Sequence, residues 1–181
     1  WQWNWQRDGL SMPLSEALDR ELDAHLERAR AARDAGEPDP GPPGRVQIQD
    51  GGVTLEADLF DCERIGATVD RLRVRREQPG SVPSQARAIA GGLRGLGERV
   101  QPVEVEPDLG GAVLRTPPEE MVQGRFYEIS VGDDGRQAQL ERWNVGQDGQ
   151  RSREPFTVTR GDLGQVVDGL AQGLEAADDP E

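Results

Sequence analysis

The chain has 181 residues and a formal net charge of −13, and all 21 of its basic residues are arginines. This acidic excess argues against a nucleic-acid partner, because binding to a phosphate backbone relies on basic side chains. Cys62 is the only cysteine, which excludes an internal disulfide framework, and no segment approaches the roughly 18 consecutive apolar residues of a membrane-spanning helix. We therefore expect a cytoplasmic protein with neither a nucleic-acid nor a membrane partner. A cleaved export signal is also compatible with a chain that begins at Trp1 instead of Met.

The first predicted helix lies between Ser11 and Gly36. Ser11 offers an N-cap oxygen, Pro13 suits the first turn, and Gly36 suits the end of the helix. The proline-rich residues 36–44 then predict an extended connector. Apolar residues recur at every third or fourth position, as on one helix face: Leu14, Leu18, Leu22, Leu26 and Ala29.

Residues 45–99 begin with three predicted strands, in which apolar and polar residues alternate. Asp50-Gly51-Gly52 is typical of a tight hairpin turn between the first two strands. In the third strand the alternation changes phase near Asp70-Arg71, which predicts a β-bulge. The positions expected to face the core are Val46, Ile48, Val53, Leu55, Ala57, Leu59, Ile65, Ala67, Val69, Leu72 and Val74.

A second helix is predicted over residues 81–98. Three glycines within it, Gly91, Gly92 and Gly95, weaken the helix and would let a neighbouring element approach closely. The apolar face expected for this helix comprises Val82, Ala86, Ile89, Leu93 and Leu96.

Residues 100–178 predict two short strands, three further strands and a final helix. Pro102 marks the first short strand as an edge strand, because proline cannot donate a hydrogen bond to a neighbour. Asp134-Gly135 and Asp148-Gly149 predict turns, and Thr159 with Asp162 predicts the start of the helix. The apolar face of this helix comprises Leu163, Val166, Val167, Leu170 and Leu174.

These elements predict an α+β fold in which an aromatic segment and a helix (residues 1–36) precede two βββα-like units. The first unit occupies residues 45–99, and the second follows two short strands within residues 100–178. This internal repeat of one pattern predicts antiparallel meanders with helices packed on one face, in one compact domain. The sequence leaves open whether the two meanders form separate sheets or one continuous sheet.

Neither His25 nor Cys62 lies in a pattern typical of a catalytic or metal site. A metal site needs more ligands than the single His25, and a reactive thiolate needs basic surroundings, whereas Cys62 lies between two acids. The glycine-rich residues 91–97 lie inside a predicted helix and do not follow a strand as a phosphate-binding loop does. We predict no catalytic, metal-binding or cofactor-binding residue and no cofactor.

Arg71, Arg73 and Arg75 occupy alternate positions of the third predicted strand and so lie on one face of it. One interpretation is a solvent-facing strand whose arginines pair with acids across the sheet. The other is a stripe that binds an anion or an acidic peptide. We include the three arginines among the candidate partner-binding residues.

The chain opens with Trp1, Trp3 and Trp5 alternating with polar residues, which places the three indoles on one face of an extended segment. The segment is interpreted as a strand of the protein's own sheet, or as an arm that docks on a second subunit or another protein. A membrane-interface anchor is the weakest alternative, because Arg7 is the only basic residue close by.

The sequence favours a non-catalytic protein-interaction module, that is, a small acidic adaptor or chaperone-like protein. Its expected partner is another protein or a second copy of the chain, and its expected contacts are sheet edges and the segment with Trp1, Trp3 and Trp5. One alternative is a structural subunit of a larger assembly. Another is an enzyme with a carboxylate and arginine cleft between the two halves, which requires paired acids of perturbed pKa facing a pocket.

Overall fold

A computed structural model describes residues 12–177. Within this range it contains three α-helices, two single-turn 3-10 helices and nine strands, and the predicted α+β class is confirmed. The helices are α1 (Leu14–Asp34), α2 (Val82–Gly92) and α3 (Arg160–Leu174). The strands are β1 (Gly44–Asp50), β2 (Val53–Cys62), β3 (Gly66–Arg76), β4 (Gln101–Glu106), β5 (Gly111–Arg115), β6 (Arg125–Gly132), β7 (Gln137–Val145), β8 (Arg151–Glu154) and β9 (Phe156–Thr159).

The strands form one continuous antiparallel sheet in the order β1-β2-β3-β7-β6-β5-β4. The two halves of the chain therefore share a sheet, because β3 from the first half pairs with β7 from the second half. Among residues 12–177, β1 and β4 are the edge strands at the two ends of this order.

The third strand of the second meander is broken at Pro155, contrary to the single strand predicted from sequence. β8 before Pro155 pairs with β7, and β9 after it pairs with β3. β3 and β7 pair directly only at Leu72–Arg75, so β8 and β9 enter between their diverging ends. Proline has no N–H to donate to a neighbouring strand, which favours a break at this position.

The three helices cover one face of the sheet, as predicted. α1 contacts β1 and β2, α3 contacts β3, β7 and β9, and α2 contacts β4, β5 and β6. α3 also contacts both other helices and so lies at the centre of the helical layer. Nearly all the predicted inward-facing residues lie in one core. The most deeply buried large apolar residues of this core are Leu18, Leu22, Leu55, Leu72, Ile89, Leu114, Ile129, Leu140, Leu163, Leu170 and Leu174.

Local geometry confirms several sequence predictions. Val69 pairs with Leu59 and Arg71 with Asp58, which leaves Asp70 as the extra residue of the predicted bulge. α1 ends in a Schellman-type cap at Gly36, whose φ of +69° is left-handed. At the start of α3, the hydroxyl of Thr159 accepts a hydrogen bond of 3.0 Å from the Asp162 N–H.

Other local predictions are wrong. Ile65 precedes β3 and is 77 % exposed, because the chain turns before the strand begins. α2 ends at Gly92, two successive glycines being a poor helix interior, and Leu93 is extended. α1 starts at Leu14, with Pro13 just before it and no side-chain cap; the predicted cap Ser11 lies outside the described residues.

The close contact between α2 and α3 depends on a glycine of α3 and not on Gly91 or Gly92 of α2. A Cβ added at Gly91 or Gly92 would meet nothing within 4 Å, whereas one at Gly173 would overlap the Ile89 side chain. Gly95 does allow a close approach, because a Cβ there would overlap the Asp162 carbonyl. The contact of α2 with α3 is therefore made at Gly173, opposite Ile89.

Candidate interaction surfaces

The face of the sheet opposite the helices, here called the open face, carries a lattice of arginines and acids. The acids Glu56, Asp58, Asp70, Glu128 and Glu141 on its strands each have an arginine within 4.0 Å. Four of the six ion pairs join acids and arginines of neighbouring strands, and the other two come from Arg151 and Arg153 of β8, which reach Glu128 of β6 and Asp70 of β3. The ion pairs are Arg45–Asp58 (2.7 Å), Arg73–Glu56 (3.2 Å), Arg71–Glu141 (3.2 Å), Arg153–Asp70 (2.8 Å), Arg115–Glu128 (2.5 Å) and Arg151–Glu128 (2.9 Å).

Two of the three candidate arginines of β3 belong to this lattice. Arg71 pairs with Glu141, and Arg73 pairs with Glu56 and donates to the Gln139 side-chain oxygen at 3.0 and 2.8 Å. Arg75 is exposed and has no acid within 4.0 Å among residues 12–177. Arg71 and Arg73 thus form ion pairs with acids of the chain itself. Arg75 is the arginine of the stripe that is accessible to an external anion.

An aromatic pair lies at one corner of the open face. Phe126 of β6 is directly opposite Trp143 of β7, and the Arg151 guanidinium lies over both rings, at 5.2 and 4.6 Å from the ring centres. Arg151 also pairs with Glu128 at 2.9 Å. Phe126 is consequently buried although it faces away from the helices. No sequence pattern indicates a role for Trp143, and the three other tryptophans, Trp1, Trp3 and Trp5, lie outside the described residues.

The edge strand β4 differs from every other long strand in its exposure. All six of its residues are exposed, including Val103 (45 %) and Val105 (40 %), and Leu109 in the following turn is 79 % exposed. β4 pairs with β5 on one side, and no strand within residues 12–177 pairs with its other side. An exposed edge of this kind presents unpaired backbone donors and acceptors together with apolar side chains.

The register of β4 against β5 shows which way its side chains point. Val105 is opposite Ala112, which is buried on the helix side, whereas Glu104 is opposite Val113 and Glu106 is opposite Gly111. Glu104 and Glu106 therefore lie on the open face. Neither has a basic group within 4.0 Å among the described residues, in contrast to the paired acids at the middle of the sheet.

A cleft of about 620 Å³ opens at the end of the sheet where the β2–β3 turn, β9 and the start of α3 meet. Three carboxylates and three threonine hydroxyls line it, with no arginine among the lining residues. Tyr127 also lines the cleft. Burial raises the pKa of this phenol, and the Arg142 guanidinium lies 4.9 Å from the centre of its ring. In the part of the chain that the structure describes, no three His, Cys, Asp or Glu side chains are grouped to hold a metal ion. The acids and hydroxyls of the cleft are Asp61, Glu63, Asp162, Thr68, Thr157 and Thr159.

Cys62 lies in the core, and His25 is half-buried on α1. Cys62 belongs to the core, and burial raises the pKa of its thiol, which keeps the sulfur in its less reactive protonated form. Its side chain contacts the Glu63 carbonyl at 3.7 Å. His25 is half-buried on α1, beside the apolar face formed by Leu22 and Leu26.

No protein-family model, curated protein or solved structure matches the chain. No helix between residues 12 and 177 is long and apolar enough to cross a membrane. Arguments about function therefore depend on the surfaces described above.

Proposed function

We propose that the protein is a non-catalytic interaction module that binds a partner protein by adding a strand to its sheet at β4. The supporting observation is the exposed apolar edge, with Val103, Val105 and Leu109 beside a backbone that no strand within residues 12–177 pairs. Strand addition of this kind draws affinity from main-chain hydrogen bonds and specificity from alternate side chains. A cytoplasmic location, in which Cys62 stays a thiol, belongs to the same proposal.

The details of β4 define where a partner strand would pair. Pro102 lacks an N–H, and the register against β5 shifts between Pro102 and Glu104, so the start of the strand is irregular. The regular part runs from Glu104 to Glu106. The proline and the register shift protect the first half of the β4 edge from unspecific pairing, and the second half stays available to a partner strand.

The segment with Trp1, Trp3 and Trp5 is the second proposed contact. Indoles are favoured anchors at protein interfaces because each buries a large area at a small cost in side-chain entropy. The stripe of Arg71, Arg73 and Arg75 stays in the proposal only through Arg75, because its two neighbours already pair with acids.

The first experiment is native mass spectrometry of the protein isolated from its own source at gentle salt. We expect a complex with a defined partner, and hydrogen–deuterium exchange of that complex should show slower exchange at residues 101–106 than in the isolated chain. A bare monomer of 19.8 kDa, or protection confined to other strands, would contradict the proposal. A fixed stoichiometry that survives dilution would instead favour the structural subunit of a larger assembly.

The aromatic segment is tested by replacing Trp1, Trp3 and Trp5 together with alanine. Trp143 is then the only indole left, and its emission reports whether the corner formed with Phe126 and Arg151 is intact. Loss of the partner with unchanged Trp143 emission supports a docking arm. Loss of the folded state would show that the segment belongs to the protein's own sheet.

A further inference from the structure

We infer that the β4 edge selects an extended segment in which basic residues alternate with apolar ones. This inference rests on the proposed function and names the chemistry of the partner strand. It follows from the two carboxylates of β4, which the sheet itself leaves without a counter-charge.

Acids in the middle of the sheet and acids at its β4 edge differ in the residues that lie opposite them on the next strand. In the middle, Glu56, Glu128 and Glu141 each form an ion pair with an arginine of a neighbouring strand. At the edge, the neighbours of Glu104 and Glu106 on β5 are Val113 and Gly111, which carry no charge. The nearby Arg115 on the same strand is engaged by Glu128 at 2.5 Å. Within residues 12–177, the strand beside Glu104 and Glu106 thus offers them no opposite charge, and a further cross-strand partner can come only from the open side of β4.

The alternation of side chains along β4 determines the pattern of the partner. Glu104 and Glu106 lie on the open face, and Val105 between them lies on the helix side. A strand added beside β4 must alternate in the same way, because neighbouring strands share their pleat. Residues opposite the two glutamates are therefore expected to be arginine or lysine, and the residue between them, opposite Val105, is expected to be apolar.

A second copy of the chain fits this edge less well. Antiparallel pairing of two β4 strands about Val105 would bring Val105 of the two copies together, but it would also place Glu104 of each copy opposite Glu106 of the other. Like charges directly opposite one another destabilise a sheet. The acids thus select against self-pairing in the register that best buries the apolar residue.

The test measures fluorescence anisotropy of labelled nine-residue peptides that share Gly-Ser ends. The first peptide alternates arginine with valine, the second has glutamate in place of arginine, and the third has proline in place of valine. We expect the arginine–valine peptide to bind about tenfold more tightly than either of the others, because cross-strand charge pairs and main-chain pairing are both needed.

Charge-reversed variants separate this edge from general attraction to an acidic protein. Glu104→Lys with Glu106→Lys should weaken binding of the arginine–valine peptide about tenfold and improve binding of the glutamate–valine peptide. The matched control is Glu27→Lys with Glu37→Lys, which changes the net charge equally at two exposed positions on and after α1. Circular dichroism checks that both variants are folded.

Each outcome separates the two proposals. Equal weakening by both double variants, or equal binding of the proline peptide, would show unspecific charge attraction and overturn the inference. If the natural complex protects residues 101–106 from exchange but the two valine peptides bind equally, the edge is the interface and the basic partner class is wrong. If the natural complex leaves these residues unprotected, the proposed function itself is wrong.

Discussion

The two edges of the sheet are built differently. On β1, Val46 is 9 % exposed and belongs to the core, and Ile48 packs against it. β4 contributes no residue to the core, although it is hydrogen-bonded to β5 along most of its length. An edge strand can thus be part of the sheet without being part of the core. Of the two end strands of the sheet, β4 is the one whose side chains are all exposed.

The largest expected difference in stability between the β1 side and the β4 side of the sheet is at α1, the helix that covers β1. Leu22 of α1 is almost fully buried, and Leu22→Ala should lower the free energy of unfolding by about 3 kcal/mol, because it leaves a cavity in the core. The matched change Leu109→Ala beside β4 should cost less than about 0.5 kcal/mol. Urea unfolding of both variants measures the difference. Equal losses would show that the β4 side also stabilises the fold.

Two valines give the same comparison within the strands themselves. Val46→Ala removes two buried methyl groups and should cost about 1.6 kcal/mol, at about 0.8 kcal/mol for each. Val105→Ala should cost less than about 0.5 kcal/mol, since Val105 is largely exposed. Thermal unfolding followed by circular dichroism distinguishes the two. A larger loss for Val105→Ala would mean that β4 is packed more tightly than its exposure indicates.

A smaller effect is expected from the ion pair at the β1 edge. The hydrogen bond from Arg45 lowers the pKa of Asp58 below its usual value, against the opposing effect of burial. Its stabilisation is therefore present above the unfolded pKa of about 3.9 and is lost as the pH falls through the lower folded pKa. Asp58→Asn should remove this part of the pH dependence of unfolding between about pH 5 and pH 2. An unchanged pH profile would show that the pair contributes nothing to stability.

The least effect on stability is expected at the β4 acids. Glu104→Gln with Glu106→Gln should change the free energy of unfolding by less than about 0.5 kcal/mol, because both side chains are exposed. The same variant should raise the dimer fraction in native mass spectrometry, since charges protect edge strands from pairing. Glu27→Gln with Glu37→Gln serves as the control of equal charge. Dimerisation of both variants would assign the effect to net charge.

Much of the fold follows from local patterns. The stripes of α1 and α3, the hairpin at Gly51 and the bulge at Asp70 are each determined by a few neighbouring residues, and all are confirmed. No local pattern indicates that β3 lies beside β7 or that the strand predicted around Pro155 is divided between two neighbours. Such pairings depend on residues far apart in the chain. That the two halves repeat one unit stays a prediction.

The candidate surface was predictable only in part. Pro102 correctly indicated an edge strand, and the sequence "VEVE" after it shows the alternation of that strand. Glu56 and Glu104 look alike in sequence, because each lies in a strand between apolar residues. Their difference arises from the neighbouring strand, which supplies Arg73 to Glu56 and only Val113 to Glu104.

The insertion of β8 and β9 between β3 and β7 has a consequence for the order of folding. Gly66 pairs with Thr159, so this part of the sheet joins residues about half the chain apart. During synthesis, β2 and β3 are made before β7 and β9. The backbone edge of β3 that faces away from β2 therefore has no partner until β7 and β9 are made. Closing such distant contacts is slow, and the waiting strand is open to wrong partners. A chain stopped near residue 99 would leave this backbone edge of β3 unpaired. The sheet is therefore completed only when residues 137–159 are available to pair with β3.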